Sequence, residues 1–265
     1  AYNNGVAFRY ELPTFSNEER IIADNTSYEI SDGLRRWMQV YDRQGYENFY
    51  PLNTNGVNPD RPDNFTWGFP ALVELAESSY MLLSESNIRH GHCGSWLVSD
   101  SCQTNVYKQQ IADEIRTDNT PWRVMILGTL ADIVESTLIT DVADNCKIED
   151  TSWIEPGVAA WIYWAHNHGS QDYQILCEYA DLAKEMGWKY SLIDAEWDVM
   201  HNGGNLEDAV KYTCEQGVKP LLWYNSSTNW VGQWAPTPQY LLNKPEDRDN
   251  EYRKISEMGI SGLKI

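Results

Sequence analysis

The stretch Tyr190-Ser-Leu-Ile-Asp-Ala-Glu-Trp-Asp198 concentrates chemistry in a short span. Tyr190 to Ile193 reads as a strand, and Asp194, Glu196 and Trp197 follow it directly. A carboxylate here can bind sugar hydroxyls through charge-assisted hydrogen bonds, and an indole offers a flat apolar wall for a sugar ring. Asp194 or Asp198 can equally cap a following helix, and Glu196 can face solvent. Two other apolar strands end in the same kind of residue. Val158 to Trp164 ends on Trp164, a pocket candidate, whereas Trp161 inside it reads as packing. Val218 to Tyr224 carries Trp223 and leads to Asn225, whose amide both donates and accepts. The candidate substrate-binding set is therefore Trp164, Asp194, Trp197, Trp223 and Asn225.

These residues recur because the elements beneath them recur. Gln171 to Met186 has Ile175, Tyr179, Leu182 and Met186 at helical spacing and stops at Gly187. Leu206 to Glu215 forms the next helix and stops at Gly217. Pro245 to Met258 forms a third, stopping at Gly259, and Gly262 to Ile265 opens a fourth strand. Helices alternating with apolar strands imply a parallel sheet, and right-handed crossovers gather the strand ends on one rim. In a β/α barrel that rim carries the chemistry. A complete barrel needs about 250 residues, so residues 151–265 read as its first three and a half units.

Residues 1–150 read differently. Strands are expected over Val6 to Glu11, Tyr28 to Ile30, Trp37 to Tyr41, Gly94 to Val98 and Trp122 to Leu127, with a short helix over Leu130 to Ser136. Phe69 to Leu75 and Ser79 to Ser84 form a hairpin turning near Glu77-Ser78, and residues 45–64 are loop-like. The fold class is thus a β-sandwich-like domain over 1–150 followed by part of an α/β barrel over 151–265.

The net charge of −19 argues against nucleic acid and against an anionic membrane surface. No apolar run approaches the roughly 18 residues needed to span a bilayer. An acidic chain of this kind could hold a hard cation such as calcium on buried carboxylates. Twelve Trp and sixteen Tyr against five Phe favour residues that stack on sugars while keeping a polar tip, although packing in a β-rich domain explains them too. Of the five Cys, Cys93 and Cys102 are a possible pair, and Cys177 and Cys214 read as buried helical thiols. His90 with His92 and His166 with His168 share a spacing that suits zinc, but neither pair has a convincing third ligand. The triplets at Asn25, Asn64 and Asn225 match glycosylation sites only as short motifs.

Several runs, taken together and in order, resemble glycoside hydrolase family 97. They are Tyr2-Asn-Asn-Gly-Val-Ala-Phe-Arg-Tyr10, Thr120-Pro-Trp-Arg123, Asp150-Thr-Ser-Trp-Ile-Glu-Pro-Gly157 and Tyr179 through Asp194. The resemblance implies a β-supersandwich followed by a (β/α)8 barrel, cleavage of α-glucosides or α-galactosides in oligosaccharide substrates, a calcium ion beside the catalytic carboxylates, and a periplasmic or secreted enzyme. It also implies that Glu85, in Leu82-Leu-Ser-Glu-Ser-Asn-Ile88, is the sandwich-domain Glu that reaches the calcium. The catalytic carboxylates are expected beyond Ile265, so the chain reads as an internal or truncated portion, and retaining and inverting mechanisms both stay open. The rival expectations are a non-catalytic carbohydrate-binding or scaffold fragment, and an α-galactosidase-like barrel of another family.

Overall fold

The computed structural model describes residues 2–41, 50–55, 66–100, 103–167, 169–225 and 235–265. The chain divides into two compact units, residues 1–147 and 148–265.

The first unit is built on an antiparallel sheet. Its strands are β1 (Gly5–Phe8), β2 (Ser27–Glu29), β3 (Arg36–Val40), β4 (Leu52–Asn53), β5 (Thr66–Ala76), β6 (Ser79–Ser86), β7 (Ser95–Asp100), β8 (Gln103–Ile111) and β9 (Trp122–Gly128). They run in the order β1-β9-β6-β5-β7-β8-β2, with β3 pairing both β5 and β4. The expected β5–β6 hairpin turns at Ser78, which adopts a φ of 60°. Alternation buries Arg36, Met38 and Val40 on β3. Those apolar residues join Trp67, Ala71, Val73, Leu83, Leu97 and Tyr107 in the core. Two short helices follow β9: α1 (Leu130–Glu135), opened by a Thr129–Asp132 capping box, and α2 (Leu138–Asp141). Leu138 packs with Val124 and Ile126. Gly5 is required there, because a Cβ would lie 2.3 Å from the Met125 carbonyl oxygen.

The second unit is a four-stranded parallel sheet in sequence order, β10 (Ala159–Trp161), β11 (Tyr190–Ile193), β12 (Lys219–Trp223) and β13 (Gly262–Lys264). Helices α3 (Tyr173–Glu185), α4 (Leu206–Glu215) and α5 (Pro245–Met258) connect them. Each helix ends the same way. Gly187, Gly217 and Gly259 adopt positive φ, and the next residue's N–H turns back onto Ala183, Thr213 and Ile255 respectively. The chain is thereby reversed into the following strand each time. Ile162, Leu176, Ile193, Ala209, Val210, Leu222 and Ile255 form the core between sheet and helices. Sequential strand order with one helix per crossover is barrel-type winding, as expected.

Beside the short strand β4, which falls in the stretch read as loop, and the unforeseen helix α2, two further elements depart from expectation. The first barrel strand stops at Trp161, because Ala165 and His166 both donate to the Ile162 carbonyl and turn the chain. Strand β8 was not foreseen, since Asn105, Lys108, Gln109 and Gln110 are poor strand formers. Its alternation is real but partly polar inside, with Gln109 buried beside Tyr107 and Ile111.

Candidate functional site

The parallel sheet sorts its side chains by parity. Ala160, Ile162, Ile193 and Leu222 belong to the helix-covered cores. Strand alternation sends Trp161, Asp194, Trp223 and Lys264 to the opposite face, at or just beyond the carboxyl ends. The register agrees: Trp161 is level with Leu192, and Trp223 is level with Lys264.

Asp194 is the centre of this face. Its side chain is 3% exposed, and four groups fix it. Oδ2 accepts from Lys264 Nζ at 2.7 Å and from Trp161 Nε1. Oδ1 accepts from the Ala195 N–H at 2.7 Å. The Asp194 N–H donates to Ser170 Oγ at 2.8 Å, so the loop after β10 holds the backbone as well. The Lys264 ammonium also lies 4.3 Å from the centre of the Trp161 ring, a cation–π contact. A buried carboxylate beside an ammonium of intermediate exposure combines an acceptor with a donor. That pairing suits neighbouring hydroxyls of a sugar.

The other candidates divide. Trp164 sits in the turn after β10 with 77% exposure, its ring 4.8 Å from that of Trp161, and is available to a ligand. Trp223 is half-buried, and its carbonyl accepts from Trp197 Nε1 at 2.8 Å. Trp197 corrects its expectation as a stacking wall. It is buried in the helix-side core, edge-on to Tyr224, because the bend after Ile193 turns the indole inward. Asn225 is buried, and its Nδ2 braces the Pro236 carbonyl at 3.0 Å. Lys264 was missed. Its signal was parity: in Gly262-Leu-Lys-Ile265 the lysine shares a face with Gly262, at the end of a parallel strand where a cation is unusual.

In the first unit, Glu85 ends in a different environment. Its Oε1 takes Arg123 Nη1 and Gln109 Nε2, and its Oε2 takes the Ser95 N–H at 3.0 Å. Arg123 is fully buried and holds Asp24 on its other edge at 2.7 Å. A guanidinium and two further donors facing a carboxylate are an anion's surroundings, and calcium needs six to eight oxygens instead. Glu85 in this arrangement does not fit a calcium ligand. Among the described residues, no group of three or more His, Cys, Asp or Glu could hold a metal ion. Burial pushes the Asp24 carboxyl up, but hydrogen bonds from Thr26 and Arg123 outweigh it and hold it below its ordinary value.

The remaining polar motifs resolve quietly. His92 stays in polar loop surroundings, Nδ1 beside the Arg89 N–H and the Asn87 carbonyl and Nε2 beside Asn119 Oδ1. His166 lies edge-on to Tyr179, and His168 lies outside the described residues. Cys93 carries a thiol that donates to the Asp113 carbonyl, while Cys102 is outside the described residues. Cys177 is half-buried but Cys214 is exposed, which corrects its reading as a buried thiol. Among the described residues no helix is long and apolar enough to cross a membrane.

Comparison with known proteins agrees with this architecture. The chain is 26% identical to a probable retaining alpha-galactosidase of Streptomyces bingchenggensis, over 99% of this chain and 40% of that protein. It is 28% identical to a retaining alpha-galactosidase of Bacteroides thetaiotaomicron, over 94% of this chain and 35% of that protein. It thus spans well under half the length of these relatives. A beta-arabinopyranosidase crystal structure superposes with a TM-score of 0.82 at 25% identity, covering 99% of this chain and 45% of the other. Residues 1–144 match the family described as glycosyl-hydrolase 97 N-terminal, and with more than half of its length so matched, this chain belongs to glycoside hydrolase family 97.

Proposed function

We propose that this chain is part of an enzyme that hydrolyses α-galactosides, and that Asp194, Lys264 and Trp164 contact the sugar. The observation that carries the reading is the desolvated Asp194 carboxylate, held 2.7 Å from Lys264 at the ends of parallel strands. Strand ends of this kind are where barrel enzymes bind their substrates. Two relatives named as alpha-galactosidases support the choice of galactose over glucose.

In this reading Asp194 Oδ1, which accepts from the Ala195 N–H and keeps a second lone pair, accepts from one ring hydroxyl, and Lys264 Nζ donates to its neighbour. Trp161 Nε1 keeps the carboxylate from rotating. Trp164 lends an apolar face to the sugar ring. The hydrolysis itself needs a pair of carboxylates, one to protonate the leaving oxygen and one to act as nucleophile or base. No residue of this chain is assigned to either role. Retention of configuration is proposed with the substrate, on the names of the same relatives.

Calcium is proposed for the complete enzyme on the family resemblance alone, with no ligand assigned among these residues. When bound, such an ion would stabilise negative charge near the reacting sugar. A periplasmic or secreted location rests on the same resemblance, and osmotic-shock fractionation of the native cells tests it: retention of the enzyme in the spheroplasts would overturn it.

The test uses the full-length protein and three aryl glycosides. These are an α-galactoside, an α-glucoside and a β-L-arabinopyranoside, which has the galactoside's ring configuration without its exocyclic CH2OH. The α-galactoside is expected to have the highest kcat/KM, and Asp194→Asn to lower it about tenfold to a hundredfold, the worth of a hydrogen bond to a charged group. Binding of galactose without turnover of any of the three would instead favour a carbohydrate-binding protein. Faster cleavage of the arabinopyranoside would move the substrate assignment.

A further inference from the structure

Glu196 adopts a φ of 69°, a left-handed backbone that favours glycine, two residues after Asp194. Residues with side chains persist in such conformations when the surrounding structure holds them, and they cluster at functional sites. Glu196 is held by the loops on both sides. Its carboxylate Oε2 accepts from Gln171 Nε2 in the turn after β10. Its N–H donates to the Thr237 carbonyl, in the segment after β12, at 2.6 Å. Thr237 in turn donates through Oγ1 to Asp198 Oδ1 at 2.7 Å.

The Gln171 contact matters because of its neighbour. Gln171 closes the single-turn helix Gly169–Gln171, and Ser170 in the middle of that turn accepts the Asp194 N–H. The turn is packed tightly: a Cβ on Gly169 would lie 2.7 Å from Ile162. It is pinned on its far side by the His201 N–H, which donates to the Gln171 carbonyl at 2.7 Å. A shift of Gln171 is therefore transmitted to Ser170 and then to Asp194.

We propose that Glu196 is a positioning residue: its carboxylate clamps the Gly169–Gln171 turn so that Ser170 fixes Asp194 for the sugar. A glycine at position 196 would relieve the backbone but release the clamp, so the side chain contributes to placement and not to folding. The inference rests on the proposed role of Asp194.

The experiment compares Glu196→Gly, Glu196→Gln, Gln171→Ala and Asp194→Asn in the full-length enzyme, reading melting temperature, kcat and KM on the aryl α-galactoside. Glu196→Gly is expected to keep its melting temperature within about 2 °C of the parent or to raise it, since glycine suits this backbone. Its kcat is expected to fall about tenfold while KM moves less than about twofold, because a misplaced group weakens the transition state first. Glu196→Gln, whose amide oxygen accepts the same bond, is expected to recover most of that loss. Gln171→Ala is expected to lower kcat similarly and not additively with Glu196→Gly. Unchanged kcat in Glu196→Gly while Asp194→Asn is impaired would overturn the positioning role alone. Equal loss in the Gln and Gly variants would also overturn it, because the charge itself would then be required. Unchanged activity in Asp194→Asn would overturn the underlying site.

Discussion

Lys264 Nζ lies 2.7 Å from Asp194 Oδ2 although the two residues are 70 positions apart, on strand ends separated by β12. The same ammonium sits over the Trp161 ring on β10. One ammonium therefore ties three strand ends together through two contacts, and the carboxylate it serves is otherwise almost fully desolvated. Replacing Lys264 by Met leaves that carboxylate without its cation. The expected result is a loss of about 1–3 kcal/mol in both stability and transition-state binding, the scale of a hydrogen bond to a charged group. Urea unfolding and kcat/KM on an α-galactoside check the two parts separately.

The two tryptophans expected at the rim, Trp164 and Trp197, should separate function from folding. Trp164 is largely exposed, so Trp164→Ala is expected to change stability by less than about 0.5 kcal/mol while weakening sugar binding severalfold. Trp197 is core, so Trp197→Ala is expected to cost about 3–5 kcal/mol of stability. Paired thermal melts and galactose titrations decide it; a wild-type melt for Trp197→Ala would contradict its placement.

Arg123 neutralises two carboxylates in the interior of the first unit, Asp24 on one edge and Glu85 on the other. Arg123→Met fills similar space but strands both anions. The expected cost is about 3–5 kcal/mol, as for a buried pair deprived of one partner. Restoring stability by adding Asp24→Asn and Glu85→Gln to the same protein would identify the stranded charges as the cause.

Asp24 also predicts a pH response. Its folded pKa lies below the unfolded value of roughly 3.9. Its contribution to stability is therefore fully present above that unfolded value and is lost as pH falls through the folded pKa. Urea unfolding should show a stability drop below about pH 4, with that component missing in Asp24→Asn. An identical acid profile in the variant would remove Asp24 from the account.

Much of the barrel part was legible because its signals are local. The glycines at 187, 217 and 259 terminate helices by backbone geometry alone, but the stripe of Ile175, Tyr179, Leu182 and Met186 marks the helix without marking its inner face: Leu176, Ala180 and Ala183 are buried, while Leu182 and Met186 are exposed. The place of Asp194 at a strand end was legible for the same reason, standing directly after an apolar run. Lys264 was not, because its meaning depends on register with Asp194 across the sheet. Trp197 misled because sequence shows that an indole follows a strand but not which way the bend turns it. Glu85 misled more deeply: the motif resembled a calcium ligand, but Arg123 reaches it across the β6–β9 pairing from 38 residues away. Strand β8 was hidden because its inward Gln109 serves that same polar network.

The central claim is that Asp194 and Lys264 together hold the sugar. A crystal structure of the full-length enzyme with galactose bound tests it most directly. The account predicts sugar hydroxyls within hydrogen-bond distance of both the Asp194 carboxylate and Lys264 Nζ, with the Trp164 ring against the sugar. Galactose bound elsewhere, with the Asp194–Lys264 pair intact and untouched by ligand, would contradict it.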